Sequence, residues 1–275
     1  MCCLLYTFPL TSVWLQKDKP DDQTDTTEAA EWLNAVQGPV AYLGQESSGV
    51  SSLLFQCAVS QANRDIMVTY ISPRPFSRMP LSVHGMPCPS AASSLKTLTF
   101  QNNWIHSCLS IISKSMSHAL AMEQCTWCIQ HVFCKYLTNL DELVKFCSNV
   151  HMRVLHPQVL IIDDMQYYIE QSKGQGQEAA AARLCALLLD AVHFIQKENP
   201  DSGCCLLVSC QTKIKSLQAV LRQFKFNIMT IESDASSSER VFHAHVNIRG
   251  RKLSITYQVQ SSGIFLKESS FGQEN

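Results

Sequence analysis

GQESSGVSS, Gly44 to Ser52, is the stretch on which the reading of this chain turns. It has the outline of a phosphate-cradling loop: Gly44, four residues, Gly49, one further residue, then the hydroxyls of Ser51 and Ser52. In such a loop, backbone N–H groups and a helix N-terminus point at the anion. A lysine adds charge on the outer phosphates, and a Ser or Thr holds magnesium. Gly44, Ser48, Gly49, Val50, Ser51 and Ser52 are therefore the candidate nucleotide-binding positions, with Ser51 in the magnesium place. The lysine's place is taken by Val50, and Glu46 puts a carboxylate inside the loop. Three readings stand open: a nucleotide site, the remnant of one, or a serine-rich turn.

Working outward, GPVAYL (38–43) reads as a short buried strand feeding the loop, and 52–62 as a helix with Leu54, Cys57, Ala58 and Gln61 at three- and four-residue steps. IMVTYI (66–71) is a second strand, closed by SPRPFSRMP, where Pro73, Pro75 and Pro80 forbid regular structure. LKTLTF (95–100) alternates as a third strand would. Asn139 and Glu142 form a capping box before an apolar helix pattern. QVLIIDD then reads as a parallel strand buried on both faces, ending at Asp163, where the second magnesium carboxylate of such a fold belongs. Residues 177–198 give the clearest helix, with Leu184, Leu187, Leu188, Ala191, Val192 and Ile195 on one stripe. CCLLVSCQT is another buried strand carrying Gln211 at its end. A helix (IKSLQAVLRQF), a strand (FNIMTI), a hairpin (VFHAHVNI, RGRK, LSITYQVQ) and a last strand (GIFLKE) complete the chain. The expected fold class is α/β: a mainly parallel sheet flanked by helices, with C-terminal antiparallel strands.

Composition narrows the class. The chain has 275 residues, 46% apolar and 16% charged, enough for one ample domain with appendages. A net charge of −1 provides no global attraction to nucleic acid or anionic membrane, so any such binding needs a local patch. The 13 cysteines lack framework spacing and sit in apolar runs, which reads as reduced, buried thiols of an intracellular protein. MCCLLYTFPLTSVWLQ lacks a basic flank and contains Pro9, so a signal peptide is not expected; nor is a membrane span.

Replacing the lysine has a calculable cost. One charge-assisted contact is worth about 1.5–3 kcal/mol, so its loss weakens nucleotide binding roughly 10- to 150-fold. Efficient hydrolysis by this loop alone is not expected.

GPVAYLGQESSGVSSLLFQCAVS, RPFSRMP, QVLIIDDMQYYIE and EAAAARLCALLLDAVHF followed by CCLLVSCQT together resemble the divergent RecA-type recombinase paralogues that act as the ATPase-like subunit of Shu-type complexes. The resemblance is strongest over 38–100 and 139–212, and nothing before Gly38 matches. It implies a RecA-like P-loop NTPase core, with ATP and magnesium as cofactors. It also implies single-stranded DNA binding, a SWIM-type zinc-finger partner, support of RecA-type recombinase filaments in recombination repair, and a nuclear location. By position, Gly44, Gly49 and Ser51 fall on the family's phosphate loop, Asp163 on its second acidic motif, and Gln211 on the glutamine that senses nucleotide. The family's catalytic glutamate, just after the second strand, has no counterpart in YISPRPF, so no catalytic residue is assigned. Three functions follow as alternatives: a non-catalytic adaptor, a DNA-stimulated ATPase whose cation comes from elsewhere, or a scaffold without ligands.

Domain organisation is expected as an N-terminal extension (1–37), a core (38–268) interrupted by an insertion (102–134), and a tail (269–275). Within the insertion, Cys125, Cys128, His131 and Cys134 are four candidate zinc ligands. Spaced by three throughout, they leave no loop to wrap a tetrahedral ion, so zinc is not expected. Lys213, Lys215, Arg222 and Lys225, with Phe224 and Phe226 among them, are the candidate single-stranded DNA contacts. The competing reading is the solvated face of an amphipathic helix, with Phe224 in the core. Arg249, Arg251 and Lys252 mark a hairpin turn or an import signal. His243 and His245 share one side of a strand without a third ligand, and Asp164, Tyr167 and Tyr168 are read as a strand cap and packing or partner residues.

Overall fold

The computed structural model describes residues 38–77, 80–83, 131–153, 155–172, 176–200, 203–211, 216–234, 239–248 and 250–273. A single nine-stranded sheet organises them. Its strands are β1 (Val40–Gly44), β2 (Val68–Ser72), β3 (Val132–Tyr136), β4 (Val159–Ile162), β5 (Cys205–Gln211), β6 (Asn227–Ser233), β7 (Val241–Ile248), β8 (Arg251–Gln260) and β9 (Gly263–Gln273). The spatial order is β3-β2-β4-β5-β1-β6-β7-β8-β9. Pairing is parallel from β3 through β6 and antiparallel from β6 to β9. The expected fold class is the observed one.

Five helices flank this sheet among the described residues: α1 (Val50–Ala62), α2 (Leu140–Ser148), α3 (Met165–Glu170), α4 (Gln177–Glu198) and α5 (Leu217–Gln223). β1, β2 and β4 are buried at every residue, as strands covered on both faces must be. One face packs on α1 and continues into the inward residues of β6–β9, including Met229, Phe242, Ile255 and Tyr257. The opposite face packs on α2–α5 through Leu143, Tyr168, Leu184, Leu188 and Leu221.

The sequence expects α1 to bury one stripe, yet it is covered almost all round, Gln56 and Gln61 included. The reason is a second covering layer. The segment at Val83 lies against it, with the Val83 N–H donating to Gln56 Oε1 at 3.2 Å. The 177–198 helix is present over that same span. The box before α2 forms with a difference. Asn139 Oδ1 accepts from Glu142 N–H at 2.9 Å, but Glu142 returns its carboxylate to Thr138 N–H at 2.6 Å, one residue before the cap.

The third described strand is Val132–Tyr136, paired in parallel with β2, whereas the expected strand at 95–100 lies outside the described residues. Val132–Cys134, assigned from sequence to the end of the insertion, are thus sheet residues. β9 likewise continues through residues 269–273, which were assigned to the tail. The hairpin turn at 249–250 uses Gly250 at φ 74°, and Arg251 and Lys252 belong to β8. No helix among the described residues is long and apolar enough to cross a membrane.

Candidate functional site

β1 ends at Gly44, paired across to Gln211 at the end of β5, so the loop emerges at the C-terminal rim of the parallel strands. In an open α/β sheet this rim is where ligands bind. After Gln45, residues 46–48 form one 3₁₀ turn, and Gly49 at φ 76° starts α1 directly. That left-handed conformation is one that glycine adopts without the cost a Cβ brings. At Gly44 a Cβ would sit 2.8 Å from Ser48 Oγ and 3.0 Å from Val50 Cγ2, so the loop closes tightly on it. The first turn of the 13-residue α1 presents backbone N–H groups that no intrahelical carbonyl can satisfy.

Asp163 anchors the rim and is buried. Its Oδ1 accepts from Ser51 Oγ at 3.0 Å and Ser209 Oγ at 2.6 Å, and its Oδ2 from Tyr70 OH at 2.9 Å. Its own N–H donates to Ile71 O at 2.8 Å, fixing the strand end. Ser209 also accepts from Asp164 N–H at 2.8 Å, which ties the two aspartates to β5. Burial lifts the Asp163 carboxyl above the ordinary range, and the Ser209, Ser51 and Tyr70 hydroxyls pull it back in part. Burial, and then the neighbouring Asp163 charge, push the Tyr70 phenol well above its ordinary value. Asp164, left-handed at φ 58°, starts α3 and is itself raised by burial and by Asp163.

Between these elements lies a cleft of about 270 Å³ lined by Gly44, Val50, Ser51, Arg74, Asp163 and Gln211 among others. Five of the sequence candidates therefore meet at one place. Ser48 and Ser52 do not line it. Ser48 is fully buried, its hydroxyl turned onto Gln45 O at 2.5 Å. Ser52 Oγ accepts from Leu81 N–H at 3.0 Å and anchors the chain beyond Pro80. Val50 is 9% exposed and belongs to the apolar cluster beneath α1, so the lysine position is filled by core packing.

A magnesium ion fits the donors present. Ser51, while donating to Asp163, keeps its oxygen lone pairs, and the Asp163 carboxylate has about four acceptor positions, of which three are used. The phosphate charge is matched less well. Among the described residues lining the cleft, the one cation is Arg74, 3.9 Å from Asp164 and largely exposed. β2 ends Ser72-Pro73-Arg74, with no carboxylate to orient an attacking water.

Several supporting residues were not read from the sequence. Tyr70 is one; the period-2 alternation of β2 could have aimed it, but nothing marked its hydroxyl for Asp163. The C-terminal strands brace the loop from behind: Tyr257 OH donates to Ser48 O at 2.8 Å and Arg240 Nη2 to Ser47 O at 2.6 Å. Val259 and Ile264 close on Gly49. These contacts join positions about 200 residues apart, which no local pattern reveals.

The remaining candidates are dispersed. Lys213 and Lys215 lie outside the described residues. Arg222 and Lys225 are exposed, but α5 carries them to the opposite end of the sheet, beside Asn227, whose N–H bonds Pro39 O ahead of β1. Phe226 is buried and Phe224 packs partly against the core, so neither forms a free stacking platform. Cys125 and Cys128 fall outside the description, His131 precedes β3, and Cys134 packs from β3 onto the α1-side core. His243 and His245 stack with ring centres 6.3 Å apart, and Asp234 lies 3.8 Å from His243 Nε2. Among the described residues no three His, Cys, Asp or Glu side chains are placed to hold a metal. Tyr167 and Tyr168 donate to Thr138 O and Leu137 O at 2.9 and 2.8 Å, fastening α3 to the β3–α2 link.

No protein-family model matches the chain, and no curated protein matches it. Solved structures do. The chain is similar to the ATPase domain of a helicase, with a TM-score of 0.53 and 9% identity over 84% of this chain and 85% of that one. The flagellar accessory protein FlaH from Methanocaldococcus jannaschii aligns with a TM-score of 0.48 and 11% identity over 84% and 89%. The fold is RecA-like.

Proposed function

We propose that this chain is a recombinase-paralogue adaptor of homologous recombination repair. It works in the nucleus, binds single-stranded DNA and a SWIM-type zinc-finger partner, and supports RecA-type recombinase filaments. Its phosphate loop holds magnesium nucleotide weakly and does not cleave it. The observation that carries this reading is the state of the cleft. Gly44, Gly49, Ser51, Asp163 and Gln211 keep their places in a RecA-like core, while buried Val50 replaces the cation and β2 ends without a carboxylate. A cleft that retains its frame after losing both charges suits a structural role for the nucleotide. The recombination role rests on the sequence resemblance together with the RecA-like fold.

The test is co-expression with the SWIM-type partner, followed by nucleotide and oligonucleotide binding on the purified pair. A stable pair that binds DNA and leaves ATP intact is expected. Absence of a stable pair overturns the adaptor reading. Arg74 at the cleft favours one alternative, an ATPase whose cation comes from outside the loop. ATP turnover that disappears in Arg74→Ala would establish that alternative instead.

A further inference from the structure

The β3 edge carries a cluster of cations that the nucleotide cleft does not use. Lys135 stands on β3, Lys145 on α2, and Arg153 follows the 3₁₀ turn Val150–Met152. With Phe146 and Asn149 they line a hollow of about 260 Å³, which shares no lining residue with the cleft. The Arg153 guanidinium lies 4.3 Å above the Phe146 ring, and its Nε is buried without a hydrogen-bond partner. None of the three cations has a carboxylate within 4.0 Å among the described residues. Glu142 is the acid in the wall, and its Oε2 is taken by Thr138 N–H at 2.6 Å and Thr138 Oγ1 at 3.2 Å. The cations also oppose one another: burial and then the Arg153 charge hold Lys135 below its ordinary value, and burial lowers Arg153. A fold that gathers like charges without a counter-ion leaves their relief to a ligand.

The same edge exposes apolar surface. Phe133, two residues before Lys135 and on the same side of β3, is 44% exposed, and Met152, beside Arg153, is 73% exposed. β3 ends the sheet. Cations next to an accessible aromatic ring suit a chain that alternates phosphates with flat bases. An acidic peptide would use the cations and leave the ring idle.

We propose that the β3–α2 edge is a binding site for single-stranded nucleic acid, with Lys135, Lys145 and Arg153 on the phosphates and Phe133 stacked on a base. This deepens the proposed DNA binding by naming its residues, and rests on that reading for the ligand class alone.

The test measures anisotropy of fluorescein-labelled oligo(dT) with the full chain across a salt series. Wild type binds, less tightly as salt rises. Lys135→Gln/Arg153→Gln weakens binding by about tenfold or more, and flattens the slope of log K against log salt by about 1.4, from about 0.7 per phosphate on single strands. Phe133→Ala weakens binding without changing the slope, and Phe133→Trp restores it. Because the double variant could misfold, wild type is also photocrosslinked to iododeoxyuridine-containing oligonucleotide, and the adduct is expected on Phe133. Unchanged binding by a folded double variant, or an adduct elsewhere, overturns this site and leaves the adaptor reading standing. Displacement by polyglutamate as readily as by oligo(dT) overturns it in favour of an acidic partner. Failure of wild type to bind oligo(dT) overturns the site and the DNA-binding part of the reading, while co-purification with the SWIM-type partner still judges the rest.

Discussion

Val50→Lys returns the missing cation to the loop. Val50 is the first residue of α1, follows the left-handed Gly49, and has 9% exposure, so a lysine stem there runs along the apolar floor with its head toward the rim. Two effects compete. Removing a buried valine costs at most about 1.5–3 kcal/mol, reduced because the lysine methylenes recover part of the contact. The ammonium, aimed at bound phosphate, contributes about 1.5–3 kcal/mol, or roughly 10- to 150-fold in affinity. The variant should therefore melt a few degrees lower without nucleotide and show a larger rise with it. Titration calorimetry with magnesium and a non-hydrolysable ATP analogue gives the affinity, and Val50→Ala separates the cavity from the charge. Hydrolysis should remain at background, because β2 still ends in Ser72-Pro73-Arg74. A folded Val50→Lys variant that binds no tighter than wild type would refute the reasoning, since the loop would then not be aimed at phosphate.

Tyr70→Phe removes one of the three hydroxyls on Asp163, and should cost about 1.5–3 kcal/mol in chemical denaturation, the range for a hydrogen bond to a charged group. Asp163→Asn should change how stability depends on pH. The folded-state carboxyl is raised by burial, so wild type draws more stability from this residue below the unfolded value of 3.8 and loses it as pH rises through the folded value. The wild-type advantage over the variant should widen on acidification through that window, and a gap independent of pH would contradict the assignment. Tyr257→Phe strands the buried Ser48 carbonyl at the back of the loop, and should lower stability by about 1–3 kcal/mol in melting curves. Asn139→Ala should cost about 0.5–2 kcal/mol through the α2 cap, without altering nucleotide affinity.

What the sequence conveys well is what local chemistry determines. The continuous apolar runs of β4 and β5 specify strands buried on both faces, and the stripe of Leu184, Leu188 and Ile195 specifies α4. Gly44, Ser51, Asp163 and Gln211 could be placed together because strand ends and loop chemistry fix them at one rim. β3 escaped because its residues overlap a run of evenly spaced cysteines and histidine, and because a five-residue edge strand has little periodicity to show. Lys213 through Lys225 looked like one basic patch, yet α5 runs the length of the sheet between its ends. Tyr70, Tyr257 and Arg240 reach the loop through tertiary contacts alone, and their residue types carry no signal of it.

The most direct test is single-turnover chemistry: radiolabelled ATP with magnesium, incubated with excess purified chain bound to its SWIM-type partner, with and without single-stranded DNA. The expected result is nucleotide retained on the protein and recovered as ATP in both conditions. Release of ADP above background, above all if single-stranded DNA accelerates it, would contradict a loop whose cation and water-orienting carboxylate are gone.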